Sequence, residues 1–115
     1  MADSVADQVA AHAARNRELV VLIVKKGADL TSRRAIDLHF WAPHELSARR
    51  LADALRGFGL DRVTSNQTEA DPSLWNVEGE ILASVEDVVA DAFVERLVTM
   101  AAAHEADFDG WGTHL

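Results

Sequence analysis

Residues 35–42 place apolar side chains on one face and mainly polar ones on the other, and this segment most restricts the folds open to the chain. Three apolar residues share one face: Ile36, Leu38 and Phe40. The opposite face carries Asp37, His39 and Trp41. A period of two is typical of a β-strand that packs one face against a core. The segment therefore predicts a sheet strand with one side covered by helices.

The segments that follow predict a fixed order of elements. Pro43 suits a helix start, and the apolar spacing from Ala48 to Phe58 predicts a helix that ends near Gly59. A polar strand at 62–67 and an apolar strand at 74–83 come next. Ser84 and Asp87 form a capping arrangement that opens one last helix, and a short strand ends the chain.

The first segment predicts an additional helix over about residues 4–26. Its valines recur at helical spacing, and Lys25 and Lys26 before Gly27 are typical of a helix C-terminus. The whole order predicts an α+β fold, a ferredoxin-like βαββαβ sandwich with an extra N-terminal helix. We interpret residues 1–115 as one domain whose ferredoxin-like core covers about 34–115. Trp41, on the side away from the two main helices, needs a cover from the N-terminal helix or from a partner.

The charge distribution indicates a basic partner. The net charge is −8. Residues 1–62 hold ten basic and eight acidic side chains, whereas residues 63–115 hold one base and eleven acids, a difference of −10. This balance argues against direct binding to nucleic acid. On the last predicted helix, Asp87, Asp91 and Glu95 recur at i, i+4 opposite the apolar side, and we call them the acidic stripe. The stripe is a candidate partner-binding surface, and the simpler alternative is a solvated helix face.

Little in the sequence indicates catalysis or metal binding. The chain lacks cysteine and any nucleophile elbow or phosphate-binding loop. A histidine–carboxylate group on the first strand, Asp37 with His39, has His44 just beyond it. A second group near the C-terminus comprises His104, Asp107, Asp109 and His114. Neither has a known catalytic or metal-ligand spacing, so we expect no enzyme, no cofactor and no metal. A metal-dependent hydrolase at the second group is the alternative.

The composition also indicates where in the cell the protein is found and whether it enters a membrane. No apolar run reaches 18 residues, and acidic residues stand where a signal peptide needs positive charge. We therefore expect a cytoplasmic protein that does not enter a membrane.

Trp111 lies between two glycines near the C-terminus, in the run Asp109, Gly110, Trp111, Gly112, Thr113. Glycines permit a close backbone approach, so the indole ring can fold onto the edge of the core. An exposed aromatic anchor for a partner is the alternative.

The same C-terminal run resembles the signature of the ribonuclease E inhibitor B (RraB) family. The matching residues are Leu97, Met100, Ala101, Asp109, Gly110, Trp111, Gly112 and Thr113, with weaker agreement at Gly27, Asp29, Ile36, Asp37, His39 and Gly59. The resemblance implies a ferredoxin-like fold with an extra N-terminal helix and a structural role for the signature. It also implies a non-enzymatic bacterial protein that binds ribonuclease E, or a basic segment of its scaffold, and modulates RNA turnover.

An alternative function follows from the first strand. If the sheet face that carries Asp37, His39 and Trp41 is open, it could hold a small ligand, and the protein would then be a ligand-binding regulatory module.

Overall fold

Four antiparallel strands and four helices make up the computed structural model, which describes residues 4–114. The helices are α1 Val5–Lys25, α2 Glu45–Phe58, α3 Val85–Val89 and α4 Asp91–Ala102. The strands are β1 Arg34–Ala42, β2 Asp61–Gln67, β3 Trp75–Ala83 and β4 Asp107–Thr113. The sheet order is β2-β3-β1-β4. The two apolar strands are therefore central and the other two lie at the edges, which confirms the predicted ferredoxin-like arrangement and its extra N-terminal helix.

The alternation in β1 places its apolar side against the helices. Ile36, Leu38 and Phe40 are completely buried, and they pack with Leu51 and Leu55 of α2 in one core cluster. Burial of this kind stabilises the fold by roughly 1.5–3 kcal/mol for each large apolar side chain. The core therefore lies entirely on one side of the sheet, between β1, β3 and the helices.

The start of α2 differs from the sequence prediction in one detail. Pro43 precedes the helix rather than opening it, and His44 is the N-cap. The His44 Nδ1 atom accepts a hydrogen bond from the Ser47 backbone N–H at 3.2 Å. The His44 side chain therefore performs the role that Ser, Thr, Asp or Asn usually has at this position. At the other end, Gly59 ends α2 in the left-handed conformation, with φ 114°.

The last predicted helix is in fact two helices, α3 and α4, because Ala90 is extended at ψ 133°. Val85 and Val94 are both essentially buried. Nine residues turn an α-helix by about two and a half turns, which would place these two valines on opposite sides of a continuous helix. The break at Ala90 allows both side chains to face the core, and it ends the regular spacing on which the acidic stripe was based.

Helix α1 lies beside α4, in the same layer as the other helices. Its contacts on β4 include Phe108 and Trp111, whose partners on β1 are Phe40 and Leu38. Residues paired across antiparallel strands share a face, so α1 extends the helix layer over the β4 edge. The expectation that α1 could cover Trp41 is therefore wrong, because α1 packs on the opposite side of the sheet.

Candidate functional site

The structure separates the acidic stripe into one structural residue and two free ones. The Asp87 carboxylate accepts a hydrogen bond from the Ser84 backbone N–H at 3.4 Å, and the Ser84 hydroxyl accepts one from the Asp87 N–H at 3.0 Å. This reciprocal capping box opens α3 and is worth roughly 1 kcal/mol. Asp91 and Glu95 are exposed on the first turns of α4, and neither carboxylate takes part in the capping box.

Asp91 and Glu95 form the wall of a groove of about 570 Å³ between α1 and α4. Its floor consists of small apolar residues of α1: Val5, Ala6, Val9, Ala10 and Ala13. The only base beyond residue 63 is Arg96, and its guanidinium lies 4.6 Å from the centre of the Phe58 ring. Among residues 4–114, no ion pair neutralises Asp91 or Glu95. We call this feature the acidic groove.

Three polar side chains of α1 hold this helix against β4, the strand that contains the C-terminal run Asp109 to Thr113. Arg15 donates a hydrogen bond to the Asp109 carbonyl at 2.7 Å, and the Trp111 indole N–H donates to the Asn16 Oδ1 at 2.9 Å. The His12 Nε2 lies 2.9 Å from the Phe108 carbonyl. A carbonyl oxygen can only accept a hydrogen bond, so His12 carries its proton on Nε2.

The backbone of the signature is adapted to this contact. β4 has an irregular register opposite His39 and Phe40 of β1, and Gly110 adopts φ 137° there. A Cβ atom at Gly110 would lie 3.3 Å from the Arg15 guanidinium. The positive φ favours glycine at this position, whereas the contact with the flexible end of Arg15 is a smaller restriction. Thr113 closes the strand by donating to the Ala35 carbonyl at 2.8 Å.

Burial lowers the pKa of His12 below its usual 6.5, and this effect exceeds the opposing effect of the hydrogen bond to Phe108. The folded protein therefore holds a neutral ring where the unfolded chain would bind a proton. We expect the contribution of His12 to the free energy of unfolding to be constant above about pH 7 and to fall as the pH drops through 6.5. Chemical denaturation between pH 8 and pH 5 measures this slope.

His12→Gln is the matched variant for that measurement, because glutamine can still donate to the Phe108 carbonyl but does not titrate. The variant should lose most of the decline in stability between pH 7 and pH 5. An equal decline in both proteins would show that other groups cause it.

The residues of the alternative ligand face lie together on the side of the sheet without helices. Asp37, His39 and Trp41 are all partly exposed, and the His39 Nδ1 lies 3.6 Å from the Glu78 carboxylate on β3. His39 also borders a cavity of about 170 Å³, shared with Arg15 and Asn16 of α1. The sequence prediction that these three residues share one face agrees with the register of β1.

The C-terminal histidine–carboxylate group is not assembled. Within residues 4–114, no three His, Cys, Asp or Glu side chains come close enough together to hold a metal ion. The His104 carbonyl instead accepts a hydrogen bond from the Ser47 hydroxyl, and the neighbouring Glu105 carboxylate lies 3.4 Å from the His44 Nε2. These contacts join the end of α4 to the start of α2. Within residues 4–114, no helix is both long enough and apolar enough to cross a membrane.

Comparison with known proteins gives a match over most of the chain. The family model described as "Regulator of ribonuclease activity B" matches residues 13–113. The chain belongs to this family. A member from Shewanella denitrificans, named Regulator of ribonuclease activity B, is 26% identical over 104 residues, which cover 89% of this chain and 81% of the relative. The resemblance inferred from the C-terminal signature is confirmed, and the family name describes a regulator of ribonuclease activity.

The residues of α1 that hold the signature in place were not predicted from the sequence. His12 and Asn16 are polar yet only 5% exposed, and they lie four residues apart on the side of α1 that faces β4. Two polar residues at i, i+4 within an apolar helix face were a visible signal that this face meets hydrogen-bonding groups rather than aliphatic side chains alone.

Proposed function

We propose that this protein regulates a ribonuclease by binding it directly, without catalysing a reaction itself, and that the acidic groove receives a basic segment of ribonuclease E or of its scaffold. The family name supports the regulatory part. The observation that carries the binding part is the groove, whose two exposed carboxylates stand beside an apolar floor. We expect this activity in the cytoplasm.

The chemistry of the groove fits an amphipathic basic segment. Apolar side chains of the partner would cover the alanines and valines of α1, while its cations would face Asp91 and Glu95. Each exposed ion pair contributes only about 0.2–1 kcal/mol. The charge of −10 on residues 63–115 would therefore act mainly by speeding association.

The proposal is tested with Asp91→Asn/Glu95→Gln and purified ribonuclease E. Neutralising both carboxylates should weaken binding about three- to tenfold at low salt and flatten its salt dependence. Asp87 is left unchanged because its carboxylate caps α3, so a substitution there would also lower stability. Affinity measured by calorimetry at two salt concentrations, with thermal melting as a check on folding, gives the answer.

Two further variants separate the groove from overall charge. Glu18→Gln/Glu69→Gln makes the same change in net charge at exposed positions outside the groove, and it should bind as the unmodified protein does. Ala10→Trp fills the groove floor without changing charge and should weaken binding as strongly as the neutralised pair. Equal losses in the groove pair and in the control pair would contradict a role for the groove.

The small-ligand function receives less support. The cavity beside His39 measures about 170 Å³, whereas sites for small organic ligands usually measure about 300–1,000 Å³. A protein partner is therefore a better proposal than a small ligand for the open sheet face.

A further inference from the structure

The sheet face opposite the helices carries a row of three carboxylates across three strands. Asp61 of β2 pairs with Glu80 of β3, and Glu80 pairs with Asp37 of β1. Neighbouring strands lie about 4.8 Å apart, and paired residues project to the same face. These side chains are exposed or partly exposed. We call Asp61, Glu80 and Asp37 together the carboxylate row.

The carboxylate row places like charges opposite one another on neighbouring strands. Like charges that stand directly opposite each other in a sheet repel, whereas opposite charges would attract. Within the described residues 4–114, none of the three carboxylates forms an ion pair. A row of charges that the fold itself does not neutralise is complementary to cations brought by another molecule.

An aromatic ring lies on the same face, four residues along β1 from Asp37. Trp41 pairs with Asn76 on one side and with Asp107 on the other, and its ring is only partly buried. Four residues of strand span about 13 Å. Between these two positions, His39 lies beside Glu78. One end of the face therefore carries the carboxylate row, and the opposite end carries the Trp41 ring beside the Asp107 carboxylate.

We infer that this open sheet face binds an extended protein segment with two arginines about four residues apart. One guanidinium would bind the carboxylate row through paired N–H groups, and the second would stack on Trp41 beside Asp107. Arginine fits better than lysine, because its planar guanidinium can make bidentate contacts with carboxylates and can stack on an indole. The inference does not depend on the acidic groove, which lies in the helix layer on the other side of the sheet.

The test uses two synthetic peptides in a glycine–serine background, one with arginine at its first and fifth positions and one with lysine there. Titration of the whole protein, followed by NMR of the Trp41 indole N–H, reports affinity and location together. We expect the arginine peptide to shift the Trp41 signal and to bind at least about fivefold more tightly than the lysine peptide.

Three variants locate the site. Asp37→Asn/Glu80→Gln should weaken the arginine peptide about tenfold. Trp41→Leu should remove most of the preference for arginine over lysine. The groove variant Asp91→Asn/Glu95→Gln makes the same charge change as the first variant but lies elsewhere, so it should leave peptide affinity unchanged.

Equal affinities for the two peptides, or an unmoved Trp41 signal, would overturn the inference. Loss of binding in the groove variant in place of the Asp37/Glu80 variant would overturn it as well. Because the peptides contain no ribonuclease sequence, failure here leaves the proposed function untouched. Failure of ribonuclease E binding would in turn leave the peptide result standing.

Discussion

Replacing Trp111 by alanine should lower the free energy of unfolding by about 3 kcal/mol, a large share of the stability of a small domain. The ring packs against the core cluster, and its N–H is the partner of the Asn16 Oδ1. Within residues 4–114, the buried Asn16 Nδ2 already has no hydrogen-bond partner. Truncation would therefore leave a cavity and a buried amide with both of its polar atoms unpaired. Urea denaturation measures the loss.

Trp111→Phe and Asn16→Leu divide this effect into its parts. Phenylalanine keeps most of the packing but loses the N–H donor, so it should cost about 1–2 kcal/mol. When both substitutions are combined, neither polar partner remains, and the double variant should cost less than the sum of the two single variants. An unchanged denaturation midpoint in Trp111→Ala, together with lost ribonuclease binding, would show instead that Trp111 is a partner anchor.

Replacing Gly79 by alanine should also destabilise the protein, by about 1–3 kcal/mol, because it overpacks the core side of a central strand. A Cβ atom at Gly79 would lie 2.6 Å from the Leu60 Cδ2 and 3.2 Å from the Leu60 Cβ. Leu60 is only 4% exposed, so its side chain has little room to move. The loss is measured by the same urea denaturation.

The Leu60→Ala variant tests the cause. Alone it should destabilise by leaving a cavity, but combined with Gly79→Ala it should recover part of the loss, because the new methyl group occupies the vacated space. Strict additivity of the two changes would contradict the clash and would point to the strand backbone as the origin of the effect.

The acidic groove and the open sheet face occupy opposite sides of the molecule, and both leave carboxylates without ion pairs in the described chain. A regulator of this form could hold two basic segments of one ribonuclease at once. The combined affinity would then exceed that of either surface, since the second contact forms within an existing complex.

Much of the candidate site was predictable because it follows from local patterns. The i, i+4 spacing identified Asp91 and Glu95, and the alternation of β1 placed Asp37, His39 and Trp41 on one face. The capping role predicted for Asp87 is confirmed by its hydrogen bonds with Ser84, while its predicted role in partner binding stays a prediction. The groove itself was not predictable, since its floor comes from α1, about 80 residues away along the chain.

By itself the sequence determined the order of the elements, the buried side of each strand and the family, because these depend on spacing within a few residues and on a short C-terminal run. Tertiary structure alone decided the layer in which α1 lies, the break at Ala90 and the alignment of Asp61, Glu80 and Asp37. The hydrogen bonds that hold α1 join residues 94 to 96 positions apart. Contacts at such separation are chosen by the packing of the whole core, and local periodicity carries no information about them.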